Sequence, residues 1–122
     1  MKVRAVVLTD QPESIGSSVA QANVVRFAGQ ALGMKLLFNF DTRVVMGQIV
    51  ASGVENGQWW MEAEVEPVWA SLTAGPLYAA ASYIVGGKNR EEGEESDLFS
   101  VALVTRPADR CVSPVRWQRD GP

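Results

Sequence analysis

Residues 58–66 read QWWMEAEVE, with Trp59, Met61, Ala63 and Val65 in one register and Trp60, Glu62, Glu64 and Glu66 in the other. Side chains on a strand alternate between faces, so this spacing predicts a half-buried β-strand with its glutamates on the wet side. Asn56-Gly57, just before it, is the strongest short hairpin signal and ties this strand to RVVMGQIVAS, residues 43–52. Over residues 19–32 the period changes. Val24, Phe27, Ala28, Ala31 and Leu32 recur at helical spacing, Ser17 or Ser18 can cap the start, and Gly33 stands past the end. A second, short helix is predicted in EPVWASLTAG. Pro67 suits its first turn, Gly75 its stop, and Val68, Trp69 and Leu72 supply its apolar contacts.

Further strands are predicted in KVRAVVL, MKLLFNF, PLYAAASYIV and LFSVALVT. TDQPESIGSS and the charged GGKNREEGEESD read as loops, and CVSPVRWQRDGP as a tail wrapped over the surface with Trp117 as its pin. The sum is about six strands and two helices, an α+β fold built as a small, mostly antiparallel β-barrel with helices over its edges or ends. One domain spanning residues 1–122 is expected, with 106–122 as an extended C-terminal tail.

Composition narrows the function classes. A net charge of -3 and no Lys/Arg cluster argue against nucleic acid as a partner. No apolar run reaches the roughly 20 residues of a membrane-spanning helix, and no secretory leader opens the sequence, so a soluble, intracellularly made protein is expected. Cys111 is the single cysteine and the chain has no histidine, which excludes an internal disulfide and a Cys-His nucleophile. The row Glu62, Glu64, Glu66 could suggest a cation site, but alternation is what solvent exposure produces, and no metal or other cofactor is expected. GQALG and GGKN lack the spacing of a phosphate-cradling loop. Trp60, on the glutamate side of its strand, and Trp117, in the tail, are candidate interface anchors, with core packing and tail docking as the alternative roles.

From residue 34 to 110 the order of segments resembles the prohead proteases of tailed bacteriophages, whose fold is related to the herpesvirus assemblins. The segments are LLFNFD followed by MGQIV, the arm NGQWWMEAEVE, the helix VWASLTAG, the small-residue strand LYAAASYIVGG and the closing LFSVALVTRPAD. The resemblance implies a catalytic histidine just before an aspartate, and that position is Phe40, followed by Asp41. It places the nucleophilic serine on Ala81, with Ser82 next to it; a slip of one residue would restore a serine, but only one of the two can face a given side. Phe40 beside Phe38 then reads as filling the former substrate groove, and Ala79 to Ala81 as allowing close approach of a sheet or partner.

A serine hydroxyl needs a base, and none of the candidates is good. Asp41 is a weak base near its ordinary pKa, and the lysines nearest in sequence are Lys35 and Lys88. The resemblance therefore implies a non-catalytic virion or assembly protein, in the host cytoplasm during assembly and then in the capsid. It would bind capsid or scaffold proteins as a decoration, cement or scaffolding component and pair with copies of itself. Two other classes stay open: an active serine protease using Ser82 with a base other than histidine, and a regulatory pseudoprotease acting on a separate enzyme.

Overall fold

Of the alternating residues in the NGQ-WWMEAEVE arm, Trp59, Met61, Ala63 and Val65 are all buried while Glu64 and Glu66 are exposed. A computed structural model of the chain describes residues 1–8, 24–72, 75–84, 97–106 and 113–118. Its elements are β1 (Lys2–Leu8), α1 (Val24–Ala31), β2 (Lys35–Phe38), β3 (Asp41–Glu55), β4 (Gln58–Val65), α2 (Val68–Leu72), β5 (Tyr78–Ile84), β6 (Asp97–Val104) and β7 (Arg116–Gln118). The strands form one sheet in the order β5-β6-β2-β3-β4-β1-β7. All neighbours are antiparallel except β2 and β6, where Leu36, Leu37 and Phe38 run parallel to Val101, Ala102 and Leu103.

The expected barrel is a curled half-barrel. Register irregularities interrupt β2–β3, β3–β4, β1–β4 and β5–β6, and such bulges bend a strand and deepen its twist. The curl brings β1 beside β5, and the Val115 N–H donates to the Leu77 carbonyl at 2.8 Å between the segments leading into β7 and β5. The concave side holds the core. Val24, Phe27, Ala28 and Ala31 of α1 face it, and the Phe27 ring lies 6.3 Å from that of Trp59 and 5.3 Å from that of Tyr83. Trp59 is fully buried, and its indole N–H donates to the Ser52 hydroxyl at 2.9 Å, so the largest core side chain carries no unmet donor.

Several predicted details shift. Leu32 lies past the end of α1 and is exposed, because the chain turns away at Gly33 before another helical turn can bury it. Residues 19–23 and the caps Ser17 and Ser18 lie outside the described residues, as do residues 85–96 of the charged segment. In α2 only Trp69 packs, stacked on Phe38 at 5.5 Å, while Val68 and Leu72 are exposed. A helix of five residues is too short to aim three apolar side chains at one neighbour. The tail contributes a seventh strand: Lys2, Val3 and Arg4 pair with Gln118, Trp117 and Arg116. Two residues further, that register would set Val6 against Pro114, which has no N–H to donate, and the ladder ends there.

Candidate functional site

Phe38 pairs with Asp41 across β2 and β3, leaving Asn39 and Phe40 as a two-residue turn. Both have positive φ, 49° and 60°, the mark of a type I′ hairpin. Asn39 tolerates this region, but for phenylalanine it is uncommon and strained. The turn is held from outside. The Asn39 N–H donates to the Leu103 carbonyl at 2.9 Å, and the Asn39 side-chain oxygen accepts from the Thr105 N–H at 3.3 Å. Phe40 stands at the tip, 36% exposed. The ring that stacks at the base of the turn is that of Phe38, on Trp69.

Asp41 is committed locally. Its carboxylate accepts the Arg43 backbone N–H at 2.9 Å and two guanidinium N–H groups at 3.1 Å. The Arg43 side chain, and then its backbone N–H, hold the Asp41 carboxyl below the usual carboxylate range. Such a group is a still poorer proton acceptor than a free aspartate.

On β5, Ala81 packs against the core, so the neighbouring Ser82 points to the outer face. There it pairs with Ser100 of β6, oxygen to oxygen at 2.6 Å. Two strands, β6 and β2, separate β5 from β3, so three inter-strand spacings put Ser82 roughly 14 Å or more from Asp41. The four positions carried over from the protease resemblance therefore do not converge: one is at a turn tip, one in a surface ion pair, one against the core and one on the outer face. Lys35 lies on β2 at the level of Ser100, exposed, and among the described residues it makes no hydrogen bond to either serine. Lys88 lies outside the described residues.

The two tryptophans have different surroundings. Trp117 pairs with Val3 and packs partly buried against the core, which docks the tail. Trp60 lies on the outer face over Gly53; a Cβ there would come within 2.9 Å of the indole ring, so only glycine lets the ring lie down. The Arg4 guanidinium sits over that ring, 4.4 Å from its centroid, and donates to Glu62 at 2.6 Å. Glu64 meets the Met1 amino group at 3.3 Å. Among the described residues no three Asp, Glu, Cys or His side chains gather as metal ligands would, and no helix is long and apolar enough to cross a membrane.

Beside Trp60 runs an open groove of about 350 Å³, with Arg4 and Arg116 on its wall. Sequence reasoning found Trp60 but missed both arginines. They lie at opposite ends of the chain, and only the β1–β7 register joins them. Comparison with known protein families, with curated proteins and with solved structures finds no match for this chain.

Proposed function

We propose that this chain, which resembles a prohead protease in segment order, is a non-catalytic phage virion or assembly protein. It binds capsid or scaffold proteins as a decoration, cement or scaffolding component. The observation that supports this reading is the dispersal of the four protease-derived positions, together with the absence of histidine from the sequence. Acyl transfer by serine requires a base within hydrogen-bond reach of the nucleophile. Ser82 has another serine there, and Asp41 is strands away.

The test is to incubate the purified protein with the capsid and scaffold proteins encoded beside it, following intact mass and sedimentation with assembled shells. Unchanged masses and co-sedimentation are expected. Specific cleavage that disappears in Ser82→Ala would replace this reading with an active protease. Failure to sediment, with capture of a separate protease instead, would favour a regulatory pseudoprotease.

A further inference from the structure

The β1–β7 register sets Arg4 directly opposite Arg116. Like charges facing each other across an antiparallel pair are unfavourable, so a counter-charge at either one is favoured. Arg4 has one: it donates to Glu62 and lies over Trp60, which also fixes its direction. Arg116 is exposed, and among the described residues it meets no carboxylate. The groove of about 350 Å³ opens beside this pair, and Asn56 and Gln58 bring side-chain amides to its wall. Those amides make no hydrogen bond among the described residues.

We propose that this groove binds a segment of a partner polypeptide through a single Asp or Glu side chain, its carboxylate seated bidentately on Arg116. A planar guanidinium presents paired N–H donors that match a carboxylate, and Arg116 is the open one of the two. The amides of Asn56 and Gln58 each offer a donor and an acceptor, which suits the peptide groups of a chain lying along β1. A carboxylate fits better than a phosphate. One open cation faces the groove, Glu55 lines it, and the chain carries a net charge of -3, so a doubly charged group would be under-compensated. Nucleic acid would need a row of cations that this face lacks. The proposal stands whether or not the partner is a capsid protein.

The experiment is fluorescence anisotropy with a short fluorescein-labelled Gly/Ser peptide that carries one Glu and an amidated C-terminus, at low salt, beside the same peptide with Gln for Glu and a labelled oligodeoxythymidylate. Saturable binding of the Glu peptide alone is expected, weakening as salt is added. Arg116→Ala should weaken it about tenfold or more, and Arg116→Lys by less, since an ammonium keeps the charge but loses the fork. The melting temperature of Arg116→Ala should hold or rise, because one of two facing cations is removed. Absent binding, equal binding of the Gln peptide, preference for the oligonucleotide, or undiminished binding by Arg116→Ala would each overturn the proposal. So would a loss of binding that merely tracks a lowered melting temperature.

Discussion

The chain makes two hairpin turns of the same geometry from different residues. Asn56 and Gly57 have φ of 52° and 74°; Asn39 and Phe40 have 49° and 60°. In the first pair glycine meets the left-handed requirement of the second position without steric cost, so the turn follows from local chemistry. In the second pair a bulky side chain is held where it is strained, and the restraint is tertiary: Asn39 bonds to Leu103 and Thr105 beside β6, and Asp41 and Arg43 brace the strand that leaves the turn. A shared backbone shape thus has a local origin at one turn and an imposed one at the other. The imposed turn carries Phe40, the position at which the protease resemblance would set a histidine.

The stems below the turns differ as well, and the largest expected effect separates them. Beneath Asn56-Gly57 lies Trp59, fully buried and hydrogen-bonded to Ser52; beneath Asn39-Phe40, Phe38 stacks on the partly buried Trp69. Trp59→Ala should cost about 3–5 kcal/mol in urea unfolding, the usual penalty for emptying an aromatic site in a core. Trp69→Ala removes a stacking contact at the margin and should cost about 1 kcal/mol. Equal costs would mean that the Phe38–Trp69 pair is as central as the helix-side core, and the contrast between the stems would fail.

Next in size is exchange of the turn residues. Gly57→Phe gives the local turn the composition of the imposed one without its tertiary restraints, and should cost about 1–2 kcal/mol by chemical denaturation. The converse, Phe40→Gly, relieves strain at an exposed tip but loosens the unfolded chain, for a net gain of about 0.5 kcal/mol. A gain would show that Phe40 is kept for something other than stability. On the proposed function that something is contact with the capsid, so Phe40→Gly should also sediment less with shells. If Phe40→Gly is instead destabilising, the ring has a packing role that its exposure does not suggest.

These turns also show what the sequence could and could not disclose. Asn56-Gly57, the alternation through β4 and the helical spacing of Val24, Phe27, Ala28 and Ala31 are local signals, and each names its element directly. Asn-Phe carries no turn signal, so the sequence predicts a strand straight through to Phe40, whereas bonds from the β6 region to Asn39 end it at Phe38. For the same reason β7 is unreadable: three residues are too few for their alternation to signal a strand, and they become one because β1 offers an edge. At the candidate site, strand parity required Ala81 and Ser82 to face opposite ways, but which faces the core depends on how β5 lies on β6. The Arg4–Arg116 juxtaposition needed the register of two strands from the chain's ends.

The smallest effect concerns acid. Arg43 holds the Asp41 carboxyl below its ordinary range at the imposed turn, and Arg26, followed by Gln30, does the same to Asp97 where β6 meets α1. A carboxyl whose folded pKa lies below its unfolded value favours the folded state when ionised. Its contribution is complete above the unfolded pKa of about 3.9 and is lost as pH falls through the folded one. Asp41→Asn should therefore change stability slightly near neutrality, and its difference from the parent should shrink below about pH 4; Asp97→Asn should behave alike. Urea midpoints across that range measure both. The two sites differ in reach: Asp41 bonds two residues away along its own strand, whereas Asp97 joins β6 to α1. Acid should thus disturb the helix–sheet contact more than the turn. A difference between parent and Asp41→Asn that widens on acidification would mean that the Arg43 contact does not favour the ionised carboxylate, and that the bonds to β6 alone hold the turn.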